Sequence, residues 1–129
     1  MTTWTSDELT KIGTAEELQI ASLRGDGTLR KPVTIWVVRL GDDLYVRSVY
    51  GRTSAWFRGT QVRHEGHIQA GSVDKDVTFV EEADPDINNR IDTAYRTKYR
   101  RYAASIIGTT VSPEARAATI KLMPLSTNS

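Results

Sequence analysis

The sequence contains no cysteine and only two histidines among its 129 residues. The lack of cysteine excludes disulfide bonds, thiolate metal sites and cysteine nucleophiles. The longest apolar run, residues 33–38, is interrupted by Thr34 and falls far short of the ~20 residues that a membrane-spanning helix requires. Because 17 basic residues accompany 16 acidic ones, the net charge of +1 gives no overall reason to expect binding to nucleic acid or to a membrane.

Several functional motifs are missing as well. The chain has no Gly-x-Gly-x-x-Gly fingerprint, no Walker loop and no Gly-x-Ser-x-Gly, so the dinucleotide, nucleoside-triphosphate and serine-hydrolase classes lack their signatures. His64 and His67 have the spacing of metal ligands, but Gly66 would end a helix between them, and we expect no metal site. The N-terminus lacks the basic start and apolar core of a secretory signal, which predicts a cytoplasmic protein.

The composition that remains is that of an ordinary globular domain, with 39% hydrophobic and 26% charged residues. We predict one domain over residues 1–125 and a flexible tail over 126–129. Alternating patterns predict six or so short strands, at residues 17–23, 32–40, 44–49, 67–70, 73–82 and 118–124. Residues 32–40 are apolar on both faces, which predicts a central, buried strand joined to the next by a hairpin at Gly41.

Helices are predicted at the start, in the middle and near the end of the chain. Thr5 and Glu8 form a capping box before residues 6–12, Ser54 can cap a second helix, and Pro85 opens the longest one, about residues 86–102. A short helical turn begins at Pro113. This order favours a mainly β, antiparallel barrel with helices packed at its ends over alternating β and α units.

Cationic and hydroxyl side chains cluster where a strand ends, the chain turns and a helix starts. Five of them are Arg47, Ser48, Arg52, Ser54 and Arg58. A neighbouring turn adds Arg24, Arg30 and Lys31. Hydroxyl donors, a helix N-terminus and guanidinium groups together are suited to a phosphate. The alternative is that these arginines are merely solvated near turns.

Two tryptophans, Trp36 and Trp56, are candidates to border a planar ring. Aromatic residues on a strand and at a helix start more often belong to the core, and both roles can hold at once. The long helix also carries a row of basic residues: Arg90, Arg96, Lys98, Arg100 and Arg101. Nucleic acid could use such a surface. Since the tyrosines of this helix lie on its apolar stripe, we favour a solvated basic face and expect no nucleic-acid partner.

The chain resembles the DUF2255 family of bacterial proteins, which is placed among the split β-barrel flavin-binding proteins. The segments that carry the resemblance are residues 34–38, 44–52, 56–58, 94–99 and 119–124. More distantly, the order of turn, strand, hairpin, serine and tryptophan-bearing helix is similar to that of the deazaflavin-dependent nitroreductases. Residues 57–60 differ from the sequence usual in those enzymes after the tryptophan.

The resemblance implies an FMN-binding-like split β-barrel that forms a homodimer, with FMN or F420 near the subunit interface. It places Ser48 at the cofactor phosphate, Trp56 on the helix, and Arg24, Arg30 and Lys31 in the basic turn. The predicted function is a flavin- or deazaflavin-binding, nitroreductase-like oxidoreductase that acts on a small molecule. One alternative is a non-catalytic module that binds flavin, haem or another small ligand. A second is an interaction protein whose barrel holds only side chains.

Overall fold

The computed structural model describes residues 3–125, so the tail predicted at 126–129 lies outside the described residues. The strands are β1 (Leu18–Ser22), β2 (Val33–Ile35), β3 (Val38–Leu40), β4 (Asp43–Arg47), β5 (Glu65–Ala70), β6 (Val73–Glu81) and β7 (Thr119–Pro124). The helices are α1 (Ser6–Gly13), α2 (Ala55–Arg63), α3 (Pro85–Lys98), α4 (Ala104–Thr110) and α5 (Pro113–Arg116), with a 3₁₀ turn at Gly51–Thr53. None of the helices in residues 3–125 is long and apolar enough to cross a bilayer.

The seven strands form one antiparallel sheet in the order β2-β1-β5-β6-β7-β4-β3. The two edge strands, β2 and β3, are separated in the chain only by Trp36 and Val37. The Cα atoms of Ile35 and Val38 are therefore at most about 11 Å apart. In a flat sheet of seven strands the edges would lie about 29 Å apart. The sheet must therefore curl into a barrel that is open between β2 and β3, which confirms the predicted antiparallel split barrel.

The prediction of one central strand over residues 32–40 was wrong. This segment forms two short edge strands: β2 pairs only with β1, and β3 pairs only with β4. Val33 and Thr34 are exposed. The apolar pattern arises because the segment crosses the opening of the barrel, where Val37 enters the barrel core and Trp36 stacks on Tyr99 outside it. Both residues are apolar for reasons unrelated to a central strand.

Apolar residues fill two separate regions. Alternate residues of β4 and β7 point into the barrel, where Leu44, Val46, Ile120 and Leu122 are at most 1% exposed. The opposite face of β3 and β4 packs against Ile91 and Tyr95 of α3 and against Tyr99, which directly follows this helix. The prediction that the tyrosines of the long helix lie on its apolar stripe is confirmed.

Local signals place most helix ends correctly. Thr5 and Glu8 complete the capping box of α1, and the Ser54 hydroxyl accepts a hydrogen bond from the backbone N–H of Phe57 at the start of α2. Asp84 caps α3, but this helix ends at Lys98, four residues before the predicted end. Helix α4 was not predicted, because Ala103 offers no side-chain cap. The two helices α2 and α4 enclose the site described next.

Candidate functional site

Two adjacent cavities flank the edge strand β2. The first, of about 210 Å³, we call the basic cavity, and it is lined by Ile20, Ser22, Arg24, Arg30, Lys31, Val33, Ala55, Trp56 and Thr60. The second, of about 280 Å³, we call the aromatic cavity, and it lies between β2, the end of β4, α2, α3 and α4. Four aromatic residues line it: Trp36, Tyr50, Trp56 and Tyr95. Because Val33 and Trp56 line both cavities, the two spaces meet at these side chains.

The cations of the basic cavity are positioned by the turn between β1 and β2. Gly27 adopts a φ of +90°, a conformation that glycine tolerates without strain, and the Arg24 N–H donates to the Thr28 carbonyl. The Arg30 N–H donates to the Ser22 carbonyl at 2.9 Å, which extends the hairpin beyond the strands. This backbone geometry holds Arg24 and Arg30 on the side of the hairpin that faces α2.

Two donors of the basic cavity lack hydrogen-bond partners within residues 3–125, whereas Nη1 of Arg24 donates to the Thr28 hydroxyl and the Leu29 carbonyl. The Ser22 hydroxyl and the Nε of Arg30 are buried and make no hydrogen bond there. No carboxylate lines the cavity, and Arg24, Arg30 and Lys31 form no ion pair in that part of the chain. Buried polar groups normally have a hydrogen-bond partner, and cationic donors bind oxyanions most strongly. The cavity is therefore chemically suited to an anionic group.

The carboxylate nearest in sequence is already engaged. Asp26 accepts hydrogen bonds from both the N–H and the hydroxyl of Thr28, and these bonds lower the pKa of Asp26. The charge of Arg24 also lowers the pKa of Asp26, but Asp26 forms no ion pair with Arg24 or Arg30 within residues 3–125. The cavity keeps its positive character.

The aromatic cavity offers flat apolar surfaces. Trp36 stacks on Tyr99 with ring centroids 3.8 Å apart and an interplanar angle of 2°, which fixes its indole at the wall of the cavity. Burial raises the pKa of Tyr95 well above its usual value, so the phenol stays neutral. Tyr50 and Ile106 are 79% and 48% exposed at this cavity. Apolar walls with a few polar groups are the usual lining of a site for a planar organic ligand.

The structure brings six of the ten predicted site residues to the two cavities. They are Arg24, Arg30, Lys31, Trp36, Arg47 and Trp56. Arg47 differs from the others because each of its guanidinium N–H groups already has an acceptor. These acceptors belong to Asn88, Asp92, Thr110 and Thr119. Arg47 therefore lines the aromatic cavity without a free donor to offer a ligand.

The other four predicted residues do not line either cavity. Ser48 is 0% exposed, and its hydroxyl lies 2.7 Å from that of Ser54, the cap of α2. Arg52 donates to Glu81 at 2.6 Å and to the Ala117 carbonyl at 2.9 Å, on a different surface. Arg58 is exposed on α2. Ser48 and Ser54 therefore belong to the cap of α2, and Arg52 belongs to a surface ion pair.

Sequence reasoning missed Ser22, Thr60, Tyr50 and the residues of α4. A signal for Ser22 was present, because it continues the core-facing series Leu18 and Ile20 at a spacing of two residues. A hydroxyl on a core face needs a hydrogen-bond partner, and this requirement marks it as a candidate. The α4 residues had no such signal, since their place depends on how α3 and α4 pack.

The profile of the DUF2255 family, described as an uncharacterised protein conserved in bacteria, matches residues 8–122. This chain belongs to the DUF2255 family. The match covers every strand of the barrel except the last two residues of β7. No curated protein sequence gives a significant match to this DUF2255 protein.

Solved structures with the same fold are distant in sequence. A putative pyridoxamine 5'-phosphate oxidase from Listeria innocua is 16% identical, with a TM-score of 0.65 over 92% of this chain and 90% of its own. An F420 reductase is 15% identical, with a TM-score of 0.56 over 91% and 92%. An FAD-binding protein from Mesorhizobium loti is 17% identical, with a TM-score of 0.57 over 96% and 92%. At these identities the likeness shows the fold alone, an antiparallel split barrel.

Proposed function

We propose that this protein binds a flavin-type cofactor, FMN or F420, across the two cavities. The observation that carries the proposal is the direct junction, at Val33 and Trp56, of a cationic cavity with unpartnered donors and an aromatic cavity. A flavin has the same two parts, a planar ring and a phosphate. The names of two structural neighbours, an F420 reductase and an FAD-binding protein, support the same ligand class.

In this arrangement the ring occupies the aromatic cavity and the phosphate end reaches the basic cavity. Trp36 is held by its stack on Tyr99, and Trp56 stands where the two cavities meet. Arg24, Arg30 and Lys31 supply positive charge at the phosphate end. The ring plane and the phosphate are thus recognised by different elements, the β2–α3 side and the β1–β2 turn.

We further propose that the protein is a cytoplasmic oxidoreductase that acts on a small molecule. A bound flavin supplies hydride transfer itself, so the protein needs to supply binding, orientation and exclusion of water. The aromatic cavity serves these purposes because its lining is mostly apolar and includes no carboxylate. Tyr50, at the exposed side of the cavity, is positioned to contact a substrate that enters above the ring.

A homodimer is part of the proposed function, and the same surface supports it. Val33, Tyr50 and Ile106 are exposed hydrophobic residues that line the aromatic cavity, and a second subunit would cover them. Sedimentation of the purified protein measures this directly. A monomer at micromolar concentration would contradict the dimer.

Haem is less well supported as the ligand. Haem iron is usually held by histidine, cysteine or methionine, less often by tyrosine. Neither cavity's lining includes a histidine, cysteine or methionine, and Tyr50 and Tyr95 are the candidates that remain. His67 instead lies between Asp74 and Asp76 on the β5–β6 hairpin.

The decisive experiment is a set of fluorescence titrations with FMN, F420 and haem. We expect saturable micromolar binding of FMN or F420. Replacing Trp56 with leucine should weaken that binding about tenfold, since an aromatic contact at the ring is lost. Val62→Ala is the matched control, because Val62 lies on the same helix and is 51% exposed. Binding of neither flavin would refute the proposed function.

If a flavin binds, its reduction by a nicotinamide and reoxidation by an acceptor test the catalytic part. Turnover supports an oxidoreductase. A bound flavin that no nicotinamide reduces and no acceptor reoxidises would instead indicate a storage or sensing module.

A further inference from the structure

Ser22 has an unusual environment for a polar residue. It is 4% exposed, at the end of β1 on the face that carries Leu18 and Ile20. Its hydroxyl has no hydrogen-bond partner in residues 3–125. Because burial of a hydroxyl without a partner is costly, such a group normally meets a partner in one functional state of the protein.

Arg30 presents a second unpartnered donor beside it. Its backbone N–H donates to the Ser22 carbonyl, so the two residues are neighbours across the hairpin. The buried Nε of Arg30 makes no hydrogen bond within the described residues. Ser22 and Arg30 both line the basic cavity, and each of them carries one buried donor without a partner in the described residues.

Gly59 of α2 allows both of these donors to pack closely against the helix. A Cβ built at this position would overlap the Ser22 hydroxyl and lie 3.0 Å from Arg30 Nε and 3.2 Å from its Cδ. Gly59 is buried and helical, with no positive φ that would require glycine. Glycine in a helix interior costs about 1 kcal/mol relative to alanine, so its presence here needs a local reason. The approach of the two donors is that reason.

We propose that Ser22 Oγ and Arg30 Nε are the donor pair of a phosphate subsite, and that the lack of a side chain at Gly59 lets them take up their positions. Arg24 and Lys31 add positive charge at the wall, and no carboxylate lines the cavity. Hydrogen bonds of this charge-assisted type are the strong ones. The inference rests on the proposed function for the molecule that carries the phosphate, whereas the subsite itself can be probed with inorganic phosphate alone.

The test compares FMN with riboflavin, which has the same ring and no phosphate. In the wild type we expect FMN to bind at least tenfold more tightly. In Ser22→Ala and in Gly59→Ala the affinity for FMN should fall about tenfold to a hundredfold while that for riboflavin stays the same. Gly108→Ala is the control for a helical glycine, since a Cβ at Gly108 would meet no atom within 4 Å. If F420 is the cofactor, the pair is F420 and its deazaflavin without phosphate.

The stability of the free protein separates a binding role from a structural one. Ser22→Ala removes an unpartnered buried hydroxyl, so the free energy of unfolding should stay the same or rise. A destabilised Ser22→Ala variant with an unchanged FMN to riboflavin ratio would overturn the proposal. Circular dichroism checks that Gly59→Ala is folded. If Gly59→Ala does not fold, the affinities of Ser22→Ala for FMN and riboflavin still test the proposal.

The two proposals can fail independently. Equal affinity of the wild type for FMN and riboflavin would refute the phosphate subsite and leave flavin binding intact. If no flavin binds, the effect of added inorganic phosphate on thermal stability decides. A rise in the wild type that is lost in Ser22→Ala supports the subsite for another phosphorylated ligand. An equal effect of phosphate on both proteins would refute it.

Discussion

The guanidinium of Arg47 and the carboxylate of Asp92 form an ion pair inside the protein, with Nη1 and Oδ1 2.5 Å apart and the Arg47 side chain fully buried. The other N–H groups of Arg47 donate to the Thr110 carbonyl, to two oxygens of Asn88 and to the Thr119 hydroxyl. One side chain of β4 thus joins α3, α4 and β7. Asp92 also accepts from Arg116 at 2.5 Å, which extends the network to α5.

Replacing Arg47 should destabilise the fold strongly. Arg47→Met leaves Asp92 and Asn88 with unmet buried acceptors, and removal of one partner of a buried pair costs about 3–5 kcal/mol. Urea denaturation measures the change in the free energy of unfolding. Arg52→Ala is the control, because its pair with Glu81 is solvent-exposed and worth about 1 kcal/mol or less. Similar small losses for both variants would contradict the structural role of Arg47.

Ser54 should act through helix stability. Its hydroxyl accepts from the Phe57 N–H and is hydrogen-bonded with Ser48. Ser54→Ala should therefore lower the free energy of unfolding by about 1 kcal/mol. Ser54→Asp keeps a capping acceptor but places a carboxylate against the buried Ser48 hydroxyl. A stability unchanged in Ser54→Ala would show that the cap is dispensable.

Ser48 should likewise affect stability more than cofactor affinity. It is fully buried and lines neither cavity. We expect Ser48→Ala to be less stable than the wild type and to bind FMN with unchanged affinity. A tenfold loss of FMN affinity, with riboflavin affinity unchanged, would instead place Ser48 at the phosphate.

His67 should titrate above its ordinary range. Burial alone would lower its pKa, but the hydrogen bonds and charges of Asp76 and Asp74 outweigh that effect and raise it. The Nδ1 of His67 lies 2.7 Å from Asp76. Because the folded-state pKa is raised, the protonated imidazole stabilises the fold below the unfolded-state pKa of about 6.5, and this contribution is lost as pH rises through the folded-state pKa.

Two measurements test the behaviour of His67. NMR titration should give a lower pKa in Asp76→Asn than in the wild type. The stability difference between wild type and His67→Gln should be larger at pH 5.5 than at pH 8.5. A difference that grew with pH would contradict the assignment.

Lys98 should be an unusually reactive amine. Burial lowers its pKa to about 8, an effect that the charge of Glu16 partly offsets, and its Nζ donates to the Val37 carbonyl at 2.6 Å. A larger neutral fraction near pH 8 should make the acetylation rate of Lys98 level off near that pH. Peptide mass spectrometry across pH 7–10 follows this residue.

The variant Glu16→Gln tests the direction in which the charge of Glu16 shifts the pKa of Lys98. Loss of the negative charge should lower the Lys98 pKa further. It also removes an acceptor of Tyr102 and Arg101, so a charge-preserving control is needed. Glu16→Asp serves as that control and should leave the pKa closer to the wild-type value. A pKa near 10.5 in the wild type would contradict the prediction.

Local signals in the sequence were sufficient for much of the architecture. The capping box at Thr5, the cap at Ser54, the hairpin at Gly41 and the alternation of residues 118–124 each depend on neighbours a few positions away. The prediction of a central strand was wrong because the apolar pattern it used is local, whereas the cause of that pattern lies in the tertiary structure. Residues 32–40 are apolar because they cross the barrel opening, which no short-range pattern reveals.

The candidate site was also predictable from the sequence only in part. The sequence alone pointed to the cationic turn with Arg24 and Arg30 and to Trp36 and Trp56, because side-chain chemistry and turn type are local properties. Only the tertiary structure decided which of the cationic side chains are paired with a carboxylate inside the protein. Arg47 is neutralised by Asp92, which is 45 residues away in the chain, while Arg30 has no such acceptor. The strength of an electrostatic interaction depends on distance in space and on burial, and neither can be read from separation along the chain.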